Sequence, residues 1–376
     1  MMNPIISIIR ISTSPTLSKP GMGKAAFYLT NYDKFDTLLI TPKPHKNDSL
    51  DKNFIKTSRF KEVTFINPTM PQNRKTPKFV LLQIIRTFGI LLFSLSSILK
   101  IFKEKPQVIH IHSPMYFIIG FWGKIIGAKV FLTIHGTDYD RLLNSKFYRF
   151  LISYVNNILC VASTHAKRIQ ENFPRSTVSV ISNGVDIEFF SPKDKLKCNV
   201  DNTIVSVGTL RWHKDFETLI KSFALIASEN PDWSLKIIGD GPDRDKLKEI
   251  ILKLKLEDRI FLTGVLDRIS LSTELKKAKI FALTSVTEAI PKVLLEAMAA
   301  KCACLVTDVG DCKRVLDNAG YIANVKDKDD ISSKLNHLIN DHEAREKFSH
   351  QSYARAADFS WETYCDSHYD LYNKSI

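Results

Sequence analysis

The chain has 376 residues, 44% hydrophobic and 25% charged, and carries a formal net charge of +13. That length exceeds one small domain and suits two of roughly 150–200 residues, while the balance excludes a disordered or fibrous chain. Charge is uneven: residues 1–190 hold 25 Lys and Arg against 11 Asp and Glu, a net of +14, whereas the other 186 hold 28 against 29. A basic half beside a neutral half points to an anionic partner on one side, such as a membrane surface or a lipid-linked phosphate. Nucleic acid is not expected, because no recognition motif of the usual kinds accompanies the basic residues. The six cysteines show no C-x2-C spacing and read as small buried side chains in a reducing compartment.

The stretch from Ile5 to Ile11 is too short for a signal peptide and reads as a first buried strand. Further apolar or β-branched runs predict strands at 37–42, 62–66, 107–111, 129–134, 157–161 and 178–181, then at 203–207, 233–238, 259–263, 279–283 and 303–306. Helical patterns lie between them, the alternation that builds parallel sheets from βαβ units. Phe79 to Phe102 is long enough to span a bilayer, but Gln83, Arg86 and Thr87 interrupt it, and an Arg inside a lone spanning helix costs a few kcal/mol or more. A helix packed internally or docked on a surface fits better, and Arg74, Lys75 and Lys78 beside it favour an anionic leaflet as that surface. Asn183-Gly184 and Pro192 break regular structure and mark a joint between two domains. The divisions drawn are 1–187, 188–355 and a closing helical segment, 356–376.

Several strand ends carry groups suited to an anion. Val207-Gly208-Thr209-Leu210-Arg211-Trp212-His213-Lys214 closes a buried strand on a glycine and follows it with two cations three apart. Glycine allows close backbone approach at the carboxyl end of a strand, where open α/β sheets bind ligands, and Arg211 and Lys214 can neutralise a diphosphate there. A second strand closes on Gly239-Asp240-Gly241-Pro242, and further on stand Gly264-Val265 and Val309-Gly310-Asp311. Between these last two, Glu288-Ala289-Ile290-Pro291-Lys292-Val293-Leu294-Leu295-Glu296 sets one carboxylate in a strand-to-helix loop and another on the helix. Unsatisfied N–H groups at such a helix start attract a phosphate, and flanking carboxylates can accept from sugar hydroxyls. In the first half, His135-Gly136-Thr137-Asp138 follows a strand, and His110 and His112 lie on another. The D-x-D triplets at 138–140, 243–245 and 327–329 read as incidental, and no metal site is expected.

Taken in order, these segments resemble the retaining glycosyltransferases of family 4 (glycosyl transferases group 1), with Glu288 and Glu296 as the Glu-x7-Glu pair. The chain departs from the pattern at Thr209, where Arg is usual, and at Asp215, where Gly is usual. The resemblance implies an α/β protein of the GT-B fold, two facing Rossmann-like domains with a central cleft, the second holding an NDP-sugar and the first an acceptor. It implies catalytic roles for His135, Arg211, Lys214 and Glu288. Donor contacts would come from Gly208, Val265, Ile290, Pro291, Lys292, Val293 and Leu294, with Glu288 facing the sugar and Glu296 the ribose. Gly21, Gly23, His135 and Asp138 would face the acceptor, while His110 and His112 would support packing. No cofactor is implied beyond a UDP- or GDP-linked substrate. A saccharide or lipid-linked acceptor fits cell-surface polysaccharide assembly by a cytoplasmic protein, peripheral on the inner face of the membrane. Two other readings stay open at this point: a non-catalytic binder of nucleotide or glycan, and a sugar-nucleotide epimerase on the same fold.

Overall fold

Strands buried on both faces appear as unbroken apolar runs, because helices cover each side of a parallel sheet. A computed structural model describes residues 5–12, 25, 28–42, 59–63, 77–135, 142–143, 146–192 and 201–376. The chain divides into two units, one of residues 1–183 with 364–376, the other of residues 184–363.

In the first unit the elements run β1 (Ile6–Ile11), β2 (Phe35–Pro42), β3 (Arg59–Val63), α1 (Pro77–Glu104), β4 (Val108–Ile111), α2 (Phe117–Ile125), β5 (Lys129–Ile134), α3 (Lys146–Leu151), β6 (Asn157–Cys160), α4 (Ser163–Asn172) and β7 (Val178–Val180). They build one sheet in the order β3-β2-β1-β4-β5-β6-β7, and each of its strand pairs is parallel. Ile9, Ile11, Ile109, Ile111, Val130 and Leu132 form one buried face, joined by Phe93 and Ile101 of α1. The third strand begins at Arg59, earlier than the expected 62, where it pairs with Leu38 in register.

The second unit begins with the single turn α5 (Ile187–Phe190) and continues β8 (Asp201–Val207), α6 (Phe216–Ile226), β9 (Ser234–Ile238), α7 (Arg244–Leu254), β10 (Ile260–Gly264), α8 (Arg268–Lys277), β11 (Ala278–Leu283), α9 (Lys292–Ala299), β12 (Ala303–Thr307), α10 (Cys312–Leu316), β13 (Gly320–Ala323), α11 (Lys328–Asn340) and α12 (His342–Ala356). Its sheet order is β10-β9-β8-β11-β12-β13, the 3-2-1-4-5-6 order of the doubly wound dinucleotide folds. Here β13 is an edge strand that the sequence pattern did not reveal. It opens on a glycine and is largely half-buried, so it lacks the apolar run of its neighbours. The last helix, α13 (Trp361–Asn373), starts in the second unit and contributes to the first from Tyr364 onward. The divisions drawn from sequence at 187/188 and 355/356 thus stand beside unit limits at 183/184 and 363/364.

Candidate active site

In each sheet the connection reverses direction next to the first strand, leaving a crevice at the carboxyl ends of two neighbours: β1 and β4 in one unit, β8 and β11 in the other. At the second of these points the loop after β8 carries Lys214 and the loop after β11 carries Glu288. Lys214 Nζ donates to Glu288 Oε1, and Ser285 Oγ donates to the same oxygen at 2.7 Å. The two charged side chains keep only 16% and 11% of their surface exposed, so the pair is more than a solvated surface contact.

Backbone contacts hold this arrangement. Val286 N donates to His213 O at 2.9 Å, and Thr284 Oγ1 donates to Asp215 O at 3.1 Å, tying the two loops together. Thr307 Oγ1 donates to Ser285 O at 2.6 Å, and Asp311 N donates to Ala289 O at 2.9 Å, anchoring the Glu288 loop from the β12 side. A Cβ on Gly310 would collide with the Glu288 carbonyl and stand 2.8 Å from that of Ala289. A side chain at Gly208 would press on the Lys214 stem, at 3.3 Å from both Cδ and Cε. One at Gly239 would overlap the Gly208 carbonyl. These glycines therefore serve close approach. Asp215, which stands where the family pattern has Gly, adopts φ 50° and ψ 44°. Asp is among the few side chains that tolerate this left-handed region, so the substitution keeps the backbone course. Burial raises the pKa of its carboxyl above the usual value.

Pro291 caps α9 without any side-chain hydrogen bond, and no acidic residue occupies the first turn. Leu294 N donates back to Pro291 O at 3.1 Å. The helix start is thus free of a carboxylate that would compete with an incoming anion. Ile290 and Pro291 are buried, Lys292, Val293 and Glu296 are half-buried, and Leu294 is fully buried in the core. Val265 is 77% exposed at the end of β10. Arg211 is exposed and lines a cavity of about 160 Å³ with Asp215, Lys246 and Lys326, a lining that includes neither Lys214 nor Glu288. The structure thus joins Gly208, Lys214 and Glu288 and sets Arg211 on a neighbouring cavity. Sequence reasoning passed over Ser285 and the bracing role of Gly310, although the polar run after β11 and the Val309-Gly310-Asp311 turn were both visible.

At the first unit's switch point the chemistry is different. Arg10, His110 and His112 are fully buried, and His368 and Tyr372 of α13 close over them. Arg10 Nη1 donates to His110 Nδ1 at 2.9 Å, so that nitrogen accepts and the proton resides on Nε2, which donates to Thr133 Oγ1 at 2.7 Å. His110 is therefore neutral. Burial, reinforced by neighbouring imidazoles and Arg10, holds His110 and His112 well below the usual imidazole value, and burial takes His368 down to about 3. His135 follows β5, half-buried and stacked on His112 at 6.0 Å between ring centres. Gly21, Gly23, Asp138, Arg74 and Lys75 lie outside the described residues.

Residues 188–355 match the family described as Glycosyl transferases group 1, and residues 57–189 match Glycosyltransferase Family 4. The chain belongs to the group 1/family 4 glycosyltransferases. Among curated relatives, the phosphatidylinositol N-acetylglucosaminyltransferase gpi3 subunit of Schizosaccharomyces pombe is 27% identical over 252 residues, covering 64% of this chain and 55% of that one. The match thus spans little more than half the relative's length. The N-acetylgalactosamine-N,N'-diacetylbacillosaminyl-diphospho-undecaprenol 4-alpha-N-acetylgalactosaminyltransferase of Campylobacter jejuni is 26% identical over 269 residues, covering 67% and 72%. Among solved structures, Anabaena Alr3699/HepE in complex with UDP and glucose superposes with a TM-score of 0.71 at 15% identity, over 99% of this chain and all of the other. The chain accordingly has the two-domain α/β GT-B fold.

Proposed function

We propose that the protein moves a sugar from a UDP- or GDP-sugar to a lipid-linked saccharide, with retention at the anomeric carbon and without a metal. The observation that carries the reading is the Lys214–Glu288 pair beside the uncapped start of α9 at a switch point. In the reaction the anomeric C–O bond to the diphosphate breaks, a C–O bond to the acceptor hydroxyl forms, and the hydroxyl proton passes to an oxygen of the leaving phosphate. Lys214 and the backbone N–H groups of Lys292 and Val293 stabilise the charge gathering on that phosphate, and Arg211 adds positive potential from the neighbouring cavity. Glu288 accepts from sugar hydroxyls and Glu296 from the ribose, while Val265 borders the base. His135, with Gly21, Gly23 and Asp138, serves the acceptor.

The bound UDP and glucose of the Anabaena protein support a nucleotide-sugar donor. The phosphatidylinositol and diphospho-undecaprenol in the relatives' names support a lipid-borne acceptor for cell-surface glycan assembly, reached from the cytoplasmic face of the membrane. Assays with UDP- and GDP-sugars test the reading: Lys214→Ala and Glu288→Gln each lower transfer by roughly 10²–10³-fold, with an unchanged cooperative unfolding transition in the absence of nucleotide reporting that the variants are folded. Full transfer in either variant overturns the site. Turnover without acceptor favours the epimerase reading, and nucleotide binding without turnover favours the non-catalytic one.

A further inference from the structure

Helix α1 has two faces with opposite surroundings. Phe93, Ser97 and Ile101 are fully buried, Phe93 against Tyr116 at 4.7 Å between ring centres. On the other side nine apolar side chains, among them Val80, Ile84, Leu91, Leu95, Leu99 and Phe102, are each between 41% and 66% exposed. At about 100° per residue these nine fall within an arc of about 120°. Every residue in that arc from Pro77 to Phe102 is apolar. Soluble monomers rarely expose a continuous apolar strip of this kind, and a helix solvated on that face would carry charges there.

The strip continues onto α2. Phe102 meets Trp122 edge-on at 5.9 Å, and α2 exposes Ile118 and Ile125, which share the Trp122 face at a spacing of four and three residues. The rim is basic: Lys103, Lys105 and Lys124 are exposed, and no Asp or Glu occurs between Pro77 and Lys103. The first acid, Glu104, is bonded to Lys100 at 2.8 Å. By length and composition the helix could cross a bilayer. Crossing would pull Phe93 and Ile101 out of the sheet's core, whereas lying flat leaves them in place.

We infer that α1 and α2 form a monotopic docking face for an anionic lipid bilayer, with the Val80–Phe102 strip sunk into the acyl boundary and Lys103 and Lys124 at the headgroups. This deepens the proposed function, resting on it only for the lipid-linked acceptor, by naming the element that brings the enzyme to it.

Flotation of the purified full chain with phosphatidylcholine vesicles, with and without phosphatidylglycerol, tests the inference. The chain floats with the anionic vesicles, alkaline carbonate releases it, Leu91→Asp/Leu95→Asp abolishes flotation, and Lys103→Glu/Lys124→Glu lowers it about tenfold. Failure of the wild type to float, unchanged flotation of the variants, or resistance to carbonate overturns it. So does a solution dimer that Leu91→Asp/Leu95→Asp splits into monomers, since the strip is then an interface between copies. The UDP-induced rise in Tm is measured on every variant. Its loss in the wild type would remove the donor reading and leave the membrane inference standing.

Discussion

At the first switch point, between β1 and β4, Arg10, His110 and His112 are sealed from solvent beneath α13; at the second, between β8 and β11, Lys214 and Glu288 keep part of their surface open. Both crevices arise from the same winding of a parallel sheet. One is filled by the chain itself, with Tyr372 donating into the place next to Arg10. The other holds a cation and an anion that neutralise each other, at the place where the donor phosphate is proposed to bind. A switch point supplies only a location; the side chains there decide whether it is filled as part of the core or left partly open.

The sharpest way to break this contrast is acid. In the folded first unit His110, His112 and His368 are held neutral, whereas in the unfolded chain they take up protons below about pH 6.5. Their contribution is fully present above that value and falls as pH drops below it, that of His368 until about 3, with a slope of at most roughly 4 kcal/mol per pH unit while all three stay neutral in the folded unit. In the second unit Glu217 is held down to about 2, chiefly by hydrogen bonds from Lys221 and Lys246; its smaller, partly screened contribution disappears only as pH falls from about 4.5. Hydrogen exchange followed by mass spectrometry between pH 7 and about pH 5 is therefore expected to show β4 and α13 losing protection before β8 and β11. The reverse order would refute the account of the sealed cluster.

A smaller effect sharpens the second site. Gly239→Ala sets a Cβ against the Gly208 carbonyl at φ 142°, and a loss of about 3 kcal/mol is expected in denaturant unfolding, together with weaker UDP binding. Unchanged stability would show that the Gly208 loop has room to move. Smallest of all is Asp215→Gly, which relieves a left-handed residue and shifts stability by no more than about 1 kcal/mol in either direction. A large loss would mean that the Asp215 side chain, not its backbone, holds the loop.

The sheets were legible because burial on both faces leaves unbroken runs such as Ile204-Val205 and Ile280-Phe281, and β13 escaped because an edge strand needs no such run. The glycines and the Glu-x7-Glu spacing marked the second site's loops. Their pairing was not legible: Lys214 and Glu288 are 74 positions apart, and only the sheet order brings their loops together. Arg10 escaped for a related reason. The stretch Ile5–Ile11 reads as a buried strand but names no partner for its Arg, and the residues that enclose it, His110 and Tyr372, are 100 and 362 positions away.

That last separation bears on synthesis. Arg10 and His110 leave the ribosome long before Tyr372 is made, while the residues of the second unit, 184–363, lie between them. The amino-terminal sheet must wait, incomplete at its most polar spot, until translation has delivered nearly everything else. The second unit also closes late, Val185 N donating to Phe359 O at 2.7 Å, but its last residues precede Tyr372, so the half made second is the half able to finish first.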